Sequence, residues 1–96
     1  MATSKEYKNF ILEQLSLTDN ITVKPMMGEY LLYKSGVLIG GIYDNRLLLK
    51  INAYNVCYSF NKVLPYSGAK PMCLVDDLDD KEKLAQVINN TYKGLI

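Results

Sequence analysis

The sequence contains no histidine, and its two cysteines, Cys57 and Cys73, lie far apart with no Cys-x-x-Cys spacing. A nucleophilic serine or cysteine needs a neighbouring base, and the base that enzymes use most often is therefore missing. Imidazole and paired thiolates, the usual ligands of zinc, are missing as well. We therefore expect a protein that is not an enzyme, with no catalytic residue, no metal site and no cofactor.

The scarcity of cysteines and of long apolar runs also bears on the location of the protein. A small secreted domain usually contains several disulfides, so two separate thiols favour a reduced setting. No run approaches the roughly 18 apolar residues of a membrane-spanning helix. The opening residues, MATSKEYKNF, carry charges where a signal peptide has an apolar core. The sequence thus predicts a cytoplasmic protein with no membrane segment.

An excess of one charge is also missing, because the formal net charge of the 96 residues is only +1. A strongly basic domain attracts nucleic acid over much of its surface, and this chain does not have that composition. The charge is nevertheless uneven, since six cations oppose two anions between Ile21 and Val75, a net of +4. A solvated surface is the ordinary explanation of such a cluster, and an anionic partner is the alternative.

Carboxylates are dense in one short segment, residues 76–80. The segment lacks the glycine and the ligand spacing of an EF-hand loop. Acidic residues stabilise the positive end of a helix, so we expect the cluster to mark the start of the final helix and not a metal site. Its members are Asp76, Asp77, Asp79 and Asp80.

What is present is the composition of a globular domain, with 49% hydrophobic and 22% charged residues. Apolar residues at steps of three and four predict a helix from about Ser4 to Leu17, with Thr3 and Glu6 at the spacing of a capping box. Asp79 and Glu82 have the same spacing, so Asp79 is predicted to begin the final helix. A short helix from Asn52 to about Leu64 is also predicted, because Ala53, Cys57, Phe60 and Leu64 recur at helical spacing.

Strands fill the space between the helices. Two polar doublets, Ser35-Gly36 and Asp44-Asn45, separate apolar segments and predict tight hairpins. With a first strand that contains Pro25, and therefore belongs at an edge or a bend, they give a four-stranded meander, and MCLVD adds a last strand. The order of elements predicts one α+β domain over residues 1–96, in two layers, with helices on one face of a mainly antiparallel sheet.

Several features exceed what a plain meander needs. Gly28 is predicted to reverse or bulge the chain, and Gly40-Gly41 to kink a strand or admit a close backbone approach. Arg46 and Lys50 share the outer face of their strand with Leu48, which predicts a basic rim around an apolar centre. We also expect a shallow groove for a partner segment or a small ligand. Its predicted residues are Met27, Gly28, Glu29, Tyr30, Lys70 and Pro71.

Three segments, VKPMMGEYLLY, GGIYDNRLLLK and YSGAKPM, together resemble the amino-terminal domain of the TfoX/Sxy family. The resemblance covers nearly the whole chain. It implies the small α+β fold, a bacterial cytoplasmic setting, and a role in the regulation of transcription and natural competence. It also implies a protein partner in the transcription machinery, such as a cyclic-AMP receptor protein homologue.

These observations leave three functional hypotheses. The first is a non-enzymatic protein-interaction module, with transcription or competence as its setting, and a homodimer is compatible with it. The second is a small-molecule-binding protein or weak enzyme that uses the predicted groove. The third is direct nucleic-acid binding, which the low net charge disfavours. The cations available for that third role are Lys24, Lys34, Arg46, Lys50 and Lys70.

Overall fold

A computed structural model describes residues 2–52 and 61–96 of the chain. In these residues the strands form an antiparallel sheet in the order β1-β2-β3-β4-β6-β5. Two helices pack against it, which confirms the predicted α+β fold with helices packed on a mainly antiparallel sheet. The elements are α1 (Lys5–Gln14), β1 (Ile21–Met26), β2 (Glu29–Lys34), β3 (Val37–Ile42), β4 (Leu47–Leu49), β5 (Asn61–Val63), β6 (Met72–Val75) and α2 (Lys81–Lys93).

The hydrophobic core lies between the helices and one face of the sheet. Leu47 and Leu49 alternate along β4 and point to this face, where both are completely buried. Lys81 and Glu13 form an ion pair of 3.5 Å between the two helices. No helix in residues 2–52 and 61–96 is long and apolar enough to cross a membrane. The core residues are Ile11, Leu15, Leu32, Ile39, Ile42, Leu47, Leu49, Val75, Leu84, Val87 and Ile88.

Three hairpins connect the first four strands, and each has two residues with positive φ at its turn. Positive φ at both central positions is what type I′ turns require, because their twist matches that of the flanking strands. The predicted hairpins at Ser35-Gly36 and Asp44-Asn45 are confirmed, and Gly28 reverses the chain as expected. The φ values are 50° and 85° at Met27-Gly28, 49° and 80° at Ser35-Gly36, and 50° and 55° at Asp44-Asn45.

Replacement of Gly28 by valine should lower the free energy of unfolding by about 1 to 3 kcal/mol. Gly28 has a φ of +85°, and an added Cβ would lie 3.2 Å from the Ala2 Cβ. Thermal or urea denaturation measures the effect. Gly36→Val is the matched control, since Gly36 also has positive φ but no atom within 4 Å of an added Cβ. If Gly28→Val is as stable as the wild type, the strained turn is not what requires glycine.

Both predicted helix starts are wrong by one residue. The N-cap of α1 is Ser4, whose side chain accepts a hydrogen bond from the Tyr7 amide, and not Thr3. The N-cap of α2 is Asp80, which accepts from the Lys83 amide at 3.0 Å, and not Asp79. The first helix also ends at Gln14, three residues before the predicted Leu17, and Leu15 is its C-cap.

The helix predicted from Asn52 to Leu64 falls largely on residues 53–60, which lie outside the described residues. Its end is contradicted, because Asn61–Val63 form strand β5 and pair with β6. A short apolar pattern is compatible with helix and strand alike, and pairing with a neighbouring strand decided the outcome here. The side chain of Asn52 donates a hydrogen bond of 3.0 Å to the Thr91 carbonyl on α2.

Proline and glycine shape the sheet at its edge and in its centre. Pro25 lies in β1, an edge strand of the sheet, as expected for a residue that has no amide donor. An added Cβ at Gly40 would overlap the Leu48 carbonyl oxygen and lie 2.8 Å from the Leu49 Cα. The pairing of β2 and β3 also shifts register beside Gly40, between Leu32 and Tyr33. The glycine pair therefore admits a close backbone approach next to a bulge.

Candidate functional site

The sheet face away from the helices is partly covered by the segment that follows β5. The Arg46 side chain donates hydrogen bonds to the Leu64 and Pro65 carbonyls at 3.3 and 3.4 Å. Leu48, which points away from the core, is completely buried. The expected apolar centre between Arg46 and Lys50 is therefore not accessible, because Leu48 is covered and the Arg46 guanidinium is engaged by backbone oxygens.

A concave cavity of about 720 Å³ lies on this side of the sheet, between β3 and the segment that joins β5 to β6. Its described lining combines lysines, tyrosines and apolar side chains, and contains no aspartate or glutamate. Pockets of this size, apolar with a few polar groups, are typical of binding sites. The described lining consists of Leu38, Gly40, Tyr43, Lys50, Ile51, Lys62, Pro65, Tyr66, Ala69, Lys70, Pro71 and Met72.

Three lysines give the cavity its positive charge. Lys62 on β5 and Lys70 in the following segment are exposed, and Lys50 beyond the end of β4 is half-buried. Within the described residues, neither Lys62 nor Lys70 has an ion pair or a hydrogen bond. The charge of Lys62 reaches the Cys73 thiol: burial raises the pKa of Cys73, and Lys62 partly offsets that rise. Lys62 and Lys70 therefore present charges that no carboxylate of the described lining neutralises.

Two tyrosines line the same cavity with different exposure. The Tyr43 side chain is buried, and the Tyr66 ring lies 6.4 Å from it, centroid to centroid, at an interplanar angle of 57°. Tyr66 is 60% exposed. Burial raises the pKa of Tyr43, and the nearby Tyr66, Glu29 and Tyr33 raise it further. Because the Tyr43 phenol stays protonated at neutral pH, it adds no negative charge to the cavity.

The structure brings only part of the predicted site together. Lys50, Lys70 and Pro71 line the cavity, and Arg46 contacts its edge through the Pro65 carbonyl. The four predicted residues at and beside the β1–β2 turn are not in the lining, so this cavity does not join the two predicted segments. These residues are Met27, which is 98% exposed, together with Gly28, Glu29 and Tyr30.

Glu29 instead anchors the amino terminus. Its Oε1 accepts hydrogen bonds from the Thr3 amide and the Thr3 hydroxyl, both at 2.8 Å. Both of its carboxylate oxygens also lie 3.1 Å from the Asp44 amide in the β3–β4 turn. The Asn45 side chain accepts from the Ser4 amide at 3.0 Å. Thr3 is therefore engaged by Glu29, which explains why it does not cap α1.

Three tyrosine or lysine members of the cavity were not among the predicted site residues: Tyr43, Lys62 and Tyr66. Tyr66 lies in the conspicuous YSGAKP segment, and Tyr43 follows Gly41 by two residues on the same face of the chain. Residues two apart in a strand lie on the same face of the sheet, so this spacing was the sequence signal that could have placed Tyr43 beside the glycine pair. Lys62 carried no usable signal, because the pattern around it was interpreted as helical.

The acidic cluster serves the start of α2, as expected. Asp80 caps the helix, and Asp77 forms an ion pair of 3.2 Å with Lys83. Among residues 2–52 and 61–96, no group of three or more histidine, cysteine, aspartate or glutamate side chains could hold a metal ion.

The fold and the cavity together define a small α+β protein with a cationic, tyrosine-containing pocket on the sheet. The chain belongs to the family of the "Uncharacterized 12.7 kDa protein in trpE 5'region" of Spirochaeta aurantia, to which it is 35% identical over 80 residues. The matched region covers 81% of this chain and 70% of that relative. No protein-family model and no solved structure matches the chain. The resemblance to TfoX/Sxy stays a prediction.

Proposed function

We propose that the protein is a non-enzymatic interaction module and that the cavity on the sheet is its binding surface. The observation that carries this proposal is the combination of Lys62 and Lys70 with a largely apolar lining that contains no described acidic residue. Protein interfaces commonly have an apolar centre and a charged rim, and complementary charge selects the partner. The partner is accordingly an acidic surface or segment of another protein.

The setting that the sequence favours is transcription. The resemblance to the TfoX/Sxy family supports an accessory regulator that binds transcription machinery, such as a cyclic-AMP receptor protein homologue, and a role in competence. An acidic surface on that partner would pair with Lys62 and Lys70. The resemblance thus supplies the class of partner, and the cavity supplies the surface that would bind it.

Binding of a small molecule is the second candidate, and the size of the cavity is the observation that favours it. Ligand pockets usually enclose about 300 to 1,000 Å³, and this cavity of about 720 Å³ lies within that range. Direct nucleic-acid binding has less support. Lys34 is buried and donates to the Asp19 carbonyl at 2.8 Å, and Arg46 is bonded to carbonyls, so two of its five candidate cations are engaged.

Charge reversal at Lys70 should strongly reduce partner recovery. We expect Lys70→Glu to reduce capture of the partner from a lysate of the native cell by about tenfold or more, since a repulsive charge replaces an attractive one at the binding surface. Capture followed by mass spectrometry compares it with Lys5→Glu, which makes the same charge change at an exposed position on α1. Equal recovery with both variants would contradict the cavity as the binding surface.

A further inference from the structure

We infer that the cavity recognises an acidic peptide segment that carries one aromatic side chain, with the ring in the cavity and the flanking carboxylates against Lys62 and Lys70. This inference rests on the proposed function, because it specifies the chemistry of the partner segment at the same site. Three features of the cavity support it: the apolar lining, the exposed ring of Tyr66, and Lys62 with Lys70.

The lining provides a place for an aromatic ring. Leu38, Pro65 and Met72 supply apolar contacts, and the methionine sulfur is a favourable neighbour of aromatic rings. Tyr66 leaves 60% of its surface exposed beside the buried Tyr43. Aromatic pairs prefer tilted or offset arrangements, as Tyr43 and Tyr66 already show, so a third ring extends the same cluster. A central aromatic anchor in a pocket is the common form of a binding hot spot.

The lysines define the charge that the residues beside that ring must carry. Lys62 lies on the edge strand β5 opposite Cys73, and Lys70 lies in the segment that leads into β6; both belong to the lining of the cavity. No described lining residue supplies a carboxylate to either of them. Exposed charge pairs at the rim raise specificity and association rate more than affinity, so the ring must supply part of the binding.

A single-stranded nucleic acid would also bring anions and rings, but the geometry favours a peptide. Strand-binding proteins combine a positive groove that follows the backbone with rings on which successive bases stack. Here the lysines line one concave cavity, and the planes of Tyr43 and Tyr66 meet at 57°.

The absence of tryptophan from the chain makes the test direct, because a tryptophan in a peptide can be excited without background from the protein. The probe is a capped nonapeptide with a central tryptophan between runs of aspartate and glutamate. We expect its emission to shift to the blue and to saturate on titration with the folded protein. Added salt should weaken binding because it screens the charge pairs, but it should not abolish binding because burial of the ring does not depend on charge.

Two variants separate the two parts of the site. Lys70→Glu should weaken peptide binding by about tenfold or more, and Ala69→Phe should block it by filling the cavity that Ala69 lines. Lys5→Glu should leave it unchanged. A peptide with alanine in place of tryptophan should compete at least about tenfold more weakly than the original. Circular dichroism and thermal melting establish that each variant is folded before its binding is interpreted.

Each result supports or overturns the inference. Failure of the acidic tryptophan peptide to bind overturns it, and so does binding by the folded Lys70→Glu and Ala69→Phe variants as tight as that of the wild type. Displacement of the peptide by oligothymidylate at lower concentration than by unlabelled peptide would assign the cavity to nucleic acid instead. If partner capture depends on Lys70 while the peptide does not bind, the interaction module survives and only the acidic–aromatic segment is wrong. If neither depends on Lys70, both proposals fail.

Discussion

Replacement of Gly40 by alanine should destabilise the protein by about 3 kcal/mol or more, the largest effect expected for a single methyl group in this chain. Overpacking of a well-packed interior usually costs about 1 to 3 kcal/mol, and more where the neighbour cannot move. The neighbours here are backbone atoms of β4, the Leu48 carbonyl oxygen and the Leu49 Cα. Relief of the overlap would require separation of β3 from β4, on which the cavity and the core both depend.

Chemical denaturation of Gly40→Ala against Gly36→Ala measures this effect. Gly36 has a φ of +80° but open space around an added Cβ. Replacement of Gly36 by alanine should therefore lower the free energy of unfolding only by the cost of a positive φ, about 1 kcal/mol. Equal stability of the two variants would mean that β3 and β4 do not approach as closely at Gly40 as the structure indicates.

Replacement of Glu29 by alanine should destabilise the protein by about 2 to 3 kcal/mol, since hydrogen bonds to a charged group contribute about 1.5 to 3 kcal/mol each and part of this carboxylate is exposed. Loss of the carboxylate leaves the Thr3 hydroxyl and the Thr3 and Asp44 amides without this acceptor. The effect should appear as a lower midpoint in urea and as faster amide hydrogen exchange at Asp44.

Glu6→Ala is the matched control for Glu29→Ala. Glu6 is an exposed glutamate in the first turn of α1, so its removal should cost at most about 1 kcal/mol through the helix dipole. If Glu29→Ala is as stable as Glu6→Ala, Glu29 does not anchor the amino terminus. It would then be a surface residue available to a partner, as the sequence predicted.

Local chemistry made the central sheet predictable. Ser35-Gly36 and Asp44-Asn45 are doublets whose residues accept positive φ at low cost, so the turns and the strands that they join were found from the sequence. Pro25 could be assigned to an edge for a similarly local reason, its missing amide donor. Such features depend on only a few neighbouring residues.

Tertiary partners decided the features that sequence reasoning placed wrongly. Thr3 has the right spacing to Glu6 for a capping box, but its hydroxyl is engaged by Glu29, and Ser4 takes the cap. The pattern around Lys62 favours a helix, yet pairing with β6 makes it a strand. That strand brings Lys62 to the cavity, so the error in secondary structure also concealed a member of the site.

Amide chemical-shift mapping of the labelled protein with the acidic tryptophan peptide tests the central claim, that the cavity face is the binding surface. We expect the largest shifts at Gly40, Ala69 and Lys70, which line the cavity, and small shifts at Ser4 to Gln14 and along α2. The Lys70→Glu variant should lose the cavity shifts, and Lys5→Glu should keep them. Shifts concentrated on the helices, or unchanged in Lys70→Glu, would contradict the account.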